Sequence, residues 1–257
     1  ENIAGSSEEL MEKFLAEGTL SMEEIHNALR SATIHRDIVP VLVGSALANK
    51  GGRRLLNSID AYMPSPLDRA PYEGKDGSTR KADDEACSAF VCKTLNDPFA
   101  GHINIMRVIS GSLSSDSTLK NVCSGENERM SSLITLNGKV QNPCKDTLHA
   151  GAVIAVAKLK NTQTGDTLCD EKAPFEVPCP DPLPQLISYG VKAAVKGEED
   201  KVFAAIQKLT EEDLSLKLTR DEETGDTLLS GMGQLHIEIS VEKAKRRGKI
   251  EIELTTP

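Results

Sequence analysis

Residues 226–255, "DTLLSGMGQLHIEISVEKAKRRGKIEIELT", decide the fold of the last part of this chain. The short apolar segment at 226–230 predicts a strand, because such runs between turn residues favour β structure. The next segment, 233–247, has apolar residues at helical spacing and predicts an amphipathic helix. A second apolar segment at 249–255 predicts another strand, so the stretch forms a strand–helix–strand unit.

The residues before this unit show a similar pattern. They predict a strand at 186–196, a helix at 198–212 and a further strand at 214–220. Joined to the later unit, they give the order β-α-β-β-α-β, which is typical of a ferredoxin-like fold. Three prolines within 179–185 mark a junction before it. We therefore assign an α+β domain to residues 183–257.

A different pattern occupies residues 87–176. Short apolar segments alternate there with turn residues, and no helical periodicity interrupts them. Strands at this spacing predict a small all-β barrel. The preceding residues, 71–86, are polar and contain glycine, which predicts a linker that lets two domains move relative to each other.

Residues 7–35 predict two short helices. The first begins with serines and acidic residues, which suit a helix N-terminus, and Gly18 is expected to end it. The second begins with Ser21 and Glu24, whose spacing is that of a capping box. Apolar residues recur on one face of each helix, as expected for amphipathic helices.

The run "IVPVLVGSA" at 38–46 is continuous, apolar and rich in β-branched residues. Such a run predicts a buried strand of a parallel sheet. A helix is predicted at 52–63, and the prolines that follow are expected to end it. One strand and one helix cannot make a sheet, so we interpret 1–70 as the last βα unit of an α/β domain. Since the chain also lacks a starting Met, we expect it to be a piece of a longer protein.

The composition narrows the classes of function. The chain has 257 residues, a net charge of −9, 39% hydrophobic residues and 3% aromatic residues. This length predicts two or three domains. No apolar run approaches the roughly 20 residues of a membrane span, so we expect no membrane partner. The acidic balance argues against strong electrostatic binding of nucleic acid by this chain alone.

The six cysteines are scattered along the sequence and form no Cys-x-x-Cys pair. Disulfide frameworks use dense cysteines in small secreted chains, and metal sites use close pairs. We therefore expect reduced, mostly buried thiols, no metal site and a cytoplasmic location.

Residues 39–52, "VPVLVGSALANKGG", contain two segments that resemble nucleotide motifs. A phosphate loop needs Gly, four residues and then Gly-Lys-Ser/Thr, but Asn49 stands in place of the second glycine. A guanine-binding Asn-Lys-x-Asp tetrad also fails, because Gly52 replaces its carboxylate. Both motifs are incomplete, and spacing identifies no catalytic residue elsewhere in the chain.

A basic cluster at 243–249 is the strongest positively charged feature. It lies at a predicted helix C-terminus, where cations interact favourably with the helix dipole. Two interpretations stay open: a solvated helix end, and a contact with RNA or an acidic partner. The same helix opens on residues 231–233, Gly-Met-Gly, which are a tight turn or an anion-binding site. The candidate contact residues are Lys243, Lys245, Arg246 and Arg247.

The chain resembles translation elongation factor G. It contains five strings of that family, in the order in which the family has them, and they are spread over nearly the whole chain. Any one string would be suggestive, and five in sequence are specific. They are "GSALANKG" (44–51), "AYMPSPLD" (61–68), "DPFAGHINIMRVISG" (97–111), "LKNTQTGDTLCD" (159–170) and "LLSGMGQLHIEISVEKAKR" (228–246).

The resemblance implies that the parent protein is a ribosome-dependent GTPase that drives translocation in protein synthesis. Residues 1–70 would be the end of an inserted subdomain and of the P-loop GTPase domain. Residues 87–176 would be the barrel domain II, and 183–257 the ferredoxin-like domain III. The phosphate loop, the switches and the guanine tetrad would precede this chain, and two further domains would follow it.

The resemblance also implies ligands and partners. The parent would bind GTP or GDP with magnesium and would contact ribosomal RNA and ribosomal proteins. By family match, Ser45, Ala46 and Leu47 form a turn whose backbone N–H contacts the guanine carbonyl oxygen. This chain alone would be a monomer without catalytic activity and without a bound nucleotide.

Two departures from the family pattern favour a divergent paralogue. Ala152 follows Ala-Gly where the family commonly has Asp, and the middle of the barrel (127–143) has fewer basic residues than many members. The alternative function is therefore a scaffold, a recycling factor or another ribosome-binding module without a full translocation role.

Overall fold

The computed structural model describes residues 2–97, 101–138, 140–220 and 226–255. The chain divides into two compact units, Glu1–Ala70 and Pro71–Pro257. Some residues of the sequence predictions lie outside the described residues. They are 98–100 of the third string, Lys139 of the barrel's middle, 221–225 between two predicted strands, and 256–257 at the end of the α+β domain.

The first unit is helical. Gly18 ends its first helix, as predicted, with a left-handed φ of 74°. The predicted capping box is present at the start of the second helix, since Ser21 and Glu24 each accept the other's backbone N–H with their side chains. The elements are α1 (Glu8–Glu17), α2 (Met22–His35) and α3 (Gly52–Tyr62), with single 3₁₀ turns at Ala4–Ser6 and Pro66–Asp68.

The run at 38–46, predicted as a buried strand of an α/β domain whose earlier strands precede this chain, forms no strand within the described residues. Most of its apolar side chains are exposed, and within the described residues the run belongs to no sheet. A strand needs a neighbouring strand to pair with its backbone groups. Within its described residues the first unit has one isolated bridge, between Ser45 and Lys50, and no strand that pairs with the apolar run.

The predicted linker at 71–86 is instead folded against the residues that flank the barrel. It contains a small antiparallel hairpin of β1 (Tyr72–Glu73) and β2 (Thr79–Arg80). The guanidinium carbon of Arg80 lies 5.1 Å from the centre of the Phe175 ring, and the same group donates to two backbone carbonyls. The polar composition predicted a mobile segment. The guanidinium of Arg80, however, binds the carbonyl of Ala173, which lies 93 residues further along the chain.

The barrel region consists of short antiparallel strands. They are β3 (Ser88–Asp97), β4 (Gly101–Ser110), β5 (Ser112–Leu113), β6 (Thr118–Asn121), β7 (Asn127–Arg129), β8 (Leu133–Asn137), β9 (Val140–Pro143), β10 (Leu148–His149), β11 (Val153–Ala157) and β12 (Thr167–Cys169). Eight of them form one sheet in the order β7-β6-β12-β3-β4-β11-β8-β9, and β5 pairs with β10.

One buried cluster receives side chains from six strands of this sheet, β3, β4, β6, β8, β11 and β12. A flat sheet would keep its distant strands apart, so the sheet curls around the shared core as a barrel does. A bulge between Val91 and Lys93 shifts the register of β3 against β4, and bulges bend a strand in this way. The predicted barrel fold is confirmed. The core includes Val91, Met106, Leu119, Met130, Leu133, Ile154 and Leu168.

The C-terminal region has the predicted β-α-β-β-α-β order. Its elements are β13 (Ile187–Ala193), α4 (Glu199–Glu212), β14 (Lys217–Arg220), β15 (Thr227–Gly231), α5 (Gln234–Gly248) and β16 (Ile252–Thr255). The antiparallel sheet has the order β14-β15-β13-β16. Side chains of both helices and of the sheet share one core, which includes Val191, Ile206, Leu229 and Ile237. The ferredoxin-like fold is therefore confirmed.

The cysteines do not follow the prediction of mostly buried thiols. Short strands point successive side chains to opposite faces, so a scattered cysteine is exposed as readily as it is buried. Burial raises the pKa of the Cys87 thiol to about 12, which keeps that group protonated. Cys87 and Cys169 are buried, Cys144 and Cys179 are half-buried, and Cys92 and Cys123 are exposed.

Candidate functional site

The turn that carries Ser45, Ala46 and Leu47 is closed by its own backbone. The Ser45 N–H donates to the Lys50 carbonyl over 3.0 Å, and the Lys50 N–H donates to the Ser45 carbonyl over 2.9 Å. Inside this ring the Asn49 N–H donates to the Ala46 carbonyl over 3.1 Å. Local hydrogen bonds thus shape the turn.

Gly44 and Gly51 let the two ends of the turn come into contact. A Cβ on Gly44 would lie 2.9 Å from the Lys50 carbonyl oxygen, and a Cβ on Gly51 would lie 3.0 Å from the Gly44 Cα. Gly51 also has a φ of 84°, in the left-handed region that favours glycine. Gly52, by contrast, has open space beside it.

The turn presents backbone donors to solvent. Ala46 and Leu47 are exposed, and in the described part of the chain their N–H groups have no hydrogen-bond acceptor. A depression of about 220 Å³ adjoins the turn, with Gly44, Ala46 and Asn49 in its lining. Small side chains let a planar ligand approach such N–H groups closely. The turn is therefore able to donate to an acceptor at the edge of a planar ring.

Two of the four predicted contact residues are paired within their own domain. Lys243 Nζ lies 2.6 Å from Glu212 Oε2, and Arg247 Nη1 lies 2.7 Å from Glu212 Oε1. The Glu212 side chain is only 3% exposed. A buried carboxylate needs compensating charge, so Lys243 and Arg247 serve the fold as well as the surface.

The environment of Glu212 fixes its charge. Burial alone raises the pKa of this carboxyl, but hydrogen bonds from Lys243, from the Asn96 N–H and from Arg247 outweigh that effect. The pKa of Glu212 is therefore below its usual range, and the group is ionised at neutral pH.

The other two predicted residues remain available. Among the described residues, the one ion-pair partner of Lys245 is Glu251, at the long distance of 3.9 Å. Arg246 is exposed, and among the described residues it has no ion-pair partner. A surface pair of this length contributes little, so of the four predicted residues Lys245 and Arg246 are those without a close ion-pair partner among the described residues.

The Gly-Met-Gly segment at 231–233 is a capped turn. The Met232 N–H donates to His236 Nδ1 over 3.3 Å, so the proton of that imidazole lies on Nε2, 3.1 Å from Asp213 Oδ2. Because the Met232 N–H already has an acceptor, the turn interpretation is favoured over an anion site.

Comparison with protein families identifies both domains of the second unit. Residues 86–171 match the family model "Elongation factor G domain 2", and residues 180–256 match "Elongation Factor G, domain III". The chain belongs to the elongation factor G family. The predicted resemblance is therefore confirmed for the two domains that the family models cover.

A solved structure extends the likeness to the rest of the chain. A crystal structure from Thermus thermophilus matches all of this chain with a TM-score of 0.82 and 28% sequence identity. The match covers 37% of the Thermus chain. This elongation factor G-family chain thus spans well under half the length of that relative.

Sequence reasoning missed Glu212, which joins two of the predicted cations. A usable signal was present, because Glu212 continues the apolar face of α4 that carries Ile206 and Leu209. A charged residue on such a face indicates a buried ion pair. It could not indicate which cations, since Lys243 and Arg247 lie on α5, which two strands separate from α4 along the chain.

Two kinds of feature are missing from the described residues of this family member. No helix there has the length and apolar character that a membrane crossing requires. No group of three or more His, Cys, Asp or Glu side chains is arranged to hold a metal ion. The candidate functional features are thus two separate ones, the 44–51 turn of the first unit and the basic end of α5 in the second.

Proposed function

We propose that this chain is the middle part of a ribosome-dependent translational GTPase of the elongation factor G type. The observation that carries the proposal is the succession of a domain 2 match and a domain III match within one chain. In this proposal the whole protein couples GTP hydrolysis to movement on the ribosome. The domains present here link the nucleotide to surfaces that contact ribosomal RNA and ribosomal proteins.

In this proposal the Ser45–Leu47 turn contacts the guanine base. The N–H groups of Ala46 and Leu47, which have no acceptor among the described residues, would donate to the guanine carbonyl oxygen, and Gly44 and Gly51 keep the turn narrow. Bound GTP, with magnesium, supplies the phosphoanhydride bond whose hydrolysis drives the cycle. The sequence of this chain has no phosphate-loop motif, so we expect the chain alone to have no measurable affinity for GTP or GDP.

The basic end of α5 is the proposed ribosome contact. Arg246 and Lys245 supply accessible charge, whereas Lys243 and Arg247 position that helix end through Glu212. Contacts with phosphate groups release counterions, so their affinity falls steeply as salt rises. The proposed contact therefore predicts salt-sensitive binding of the folded chain to ribosomes.

Sedimentation with purified ribosomes tests this proposal. We expect the chain to pellet with ribosomes at low salt, and the substitution Arg246→Glu to weaken binding more than Arg54→Glu, a matched change at an exposed arginine of α3. A folded chain that stays in the supernatant at low salt would contradict the proposal. Equal binding by the two variants would contradict the assignment of Arg246.

The alternative is a ribosome-binding or scaffold protein of this family without a translocation role. It is favoured by Ala152 and by the low basic content of 127–143. This alternative predicts that the whole protein binds ribosomes but that ribosomes do not stimulate its GTP hydrolysis.

A further inference from the structure

The barrel and the ferredoxin-like domain meet at the end of β3 and the end of α4. The Asn96 N–H donates to Glu212 Oε1 over 2.9 Å. The Asn96 side-chain amide donates to the Lys208 carbonyl over 2.8 Å and lies 3.4 Å from Glu211 Oε2. One barrel residue thus makes three polar contacts with the last turn of α4.

A second barrel residue reaches the same turn. His102 Nε2, on β4, lies 3.8 Å from Glu211 Oε2. Both partners are substantially exposed, so this contact is weak. Asn96 is therefore the main polar connection between the two domains in this region.

The negative charge of Glu212 is compensated by cations of its own domain, without any charged group among the described residues of the barrel. Both of its cations, Lys243 and Arg247, lie on α5 in the same domain as Glu212. Removing a partner from a buried ion pair is costly because it leaves an uncompensated charge. Moving the barrel away takes the neutral Asn96 donor from Glu212 and leaves both of its cations in place, so the cost at this carboxylate is that of an ordinary hydrogen bond.

Open space adjoins the contact. One cavity of about 670 Å³ is lined by Thr94 of the barrel and Thr210 of α4, and His102 also lines it. Another, of about 530 Å³, is lined by Asn96 together with Lys208. Polar contacts thus join the two domains here beside these cavities, and among the described residues the buried clusters of the two domains share no member.

We propose that Asn96 and Glu212 form a releasable latch, which holds the barrel and the ferredoxin-like domain in one orientation and lets them part while both stay folded. The carboxylate of Glu212 has two roles in this proposal. Its ion pairs with Lys243 and Arg247 stabilise the domain, and its bond to the Asn96 N–H fixes the orientation. The latch is a property of this chain alone and does not depend on GTP or on ribosomes.

Amide hydrogen exchange by NMR on the 257-residue chain tests the latch. The reference is the Val91 N–H, a buried barrel amide that donates to the Asp166 carbonyl. We expect the Asn96 N–H to be protected, to exchange faster than the Val91 N–H, and to show little dependence on low urea concentrations. Exchange of Asn96 at the rate and with the urea dependence of Val91 would overturn the latch, since the contact would then open only by unfolding. An unprotected Asn96 N–H would overturn it as well.

A variant pair provides a second measurement. Asn96→Ala keeps the backbone N–H that bonds to Glu212 but removes the side-chain bonds to Lys208 and Glu211 that support it. It is expected to speed exchange at position 96 by about five- to thirtyfold, the effect of one or two hydrogen bonds. It should leave Val91 unchanged and widen the distance distribution from small-angle X-ray scattering. Asn127→Ala, the same change at an exposed barrel residue, should alter none of these readouts. Identical behaviour of the two variants would overturn the proposal.

Discussion

Arg247 Nη1 on α5 lies 2.7 Å from Oε1 of Glu212 on α4, which also accepts the Asn96 N–H. Arg247 belongs to the basic cluster at 243–249, which the sequence offers as a contact for RNA, and yet it pairs with the buried carboxylate of Glu212. The basic end of α5 therefore has two parts, one whose cations pair with a buried carboxylate and one whose cations have no close ion-pair partner among the described residues. Predictions about stability and about binding concern different residues of the same cluster.

Replacing Glu212 with Gln should destabilise the chain. The substitution keeps the shape of the side chain but leaves Lys243 and Arg247 without their anion. Loss of one partner of a buried pair costs about 3–5 kcal/mol, and partial exposure of the two cations lowers our expectation to about 2–3 kcal/mol. Urea unfolding measures the change. Glu242→Gln, at an exposed position of α5, should change the free energy of unfolding by less than about 0.5 kcal/mol; similar losses in both variants would contradict the role of Glu212.

The same ion pair predicts a pH dependence. The pKa of Glu212 in the folded chain is below its ordinary value of 4.5, because hydrogen bonds from Lys243, Asn96 and Arg247 outweigh burial. The unfolded chain thus takes up a proton first as the pH falls. The contribution of Glu212 should be complete above pH 4.5 and decline below it. Urea midpoints of the wild type and Glu212→Gln should therefore converge as the pH falls below that value; a constant difference would contradict the assignment.

We expect Arg80 to stabilise the packing of the β1–β2 hairpin. Arg80→Met keeps an apolar stem but removes the stacking on Phe175 and the bonds to the carbonyls of Ala86 and Ala173. We expect a loss of about 1–3 kcal/mol in the free energy of unfolding. Faster exchange of the Lys75 N–H, which donates to the Glu176 carbonyl, would show that the hairpin has loosened. Lys81→Met, at an exposed neighbour, is the control, and equal effects of the two changes would contradict this role.

Gly51 should be required for the shape of the 44–51 turn. Gly51→Ala forces a Cβ to within 3.0 Å of the Gly44 Cα and the Val43 carbonyl at a φ of 84°, and such strain costs about 1–3 kcal/mol. Gly52→Ala meets open space and should be nearly neutral. NMR of the Ser45 and Lys50 amides and thermal unfolding compare the two variants. Equal stability and unchanged amide signals in Gly51→Ala would show that the turn does not need glycine there.

Periodic elements with local signals could be predicted from the sequence. The helices α4 and α5 begin and end within one residue of the predicted bounds, because a long apolar repeat and its flanking residues define each of them. The Ser21–Glu24 capping box was also predictable, since its donors and acceptors lie three residues apart. The guanine contact of Ser45–Leu47 stays a prediction that the structure leaves untested.

Features that depend on distant partners could not be predicted. Arg80 lies in a polar segment that resembles a linker, and its carbonyl partner Ala173 is 93 residues away. Lys243 and Arg247 are 31 and 35 residues from Glu212, so their sequence shows only a basic helix end. The 38–46 run has residues that favour a strand, but a strand needs a neighbour to pair with, and the prediction placed its neighbours in an earlier part of the domain. Within the described residues the run therefore belongs to no sheet.

Ribosome-stimulated GTP hydrolysis by the whole protein that contains this chain tests the central claim most directly. We predict that intact protein hydrolyses GTP slowly alone, and that the rate rises with the concentration of active ribosomes until it saturates. A folded, intact protein that hydrolyses GTP at the same rate with and without active ribosomes would contradict the proposed function.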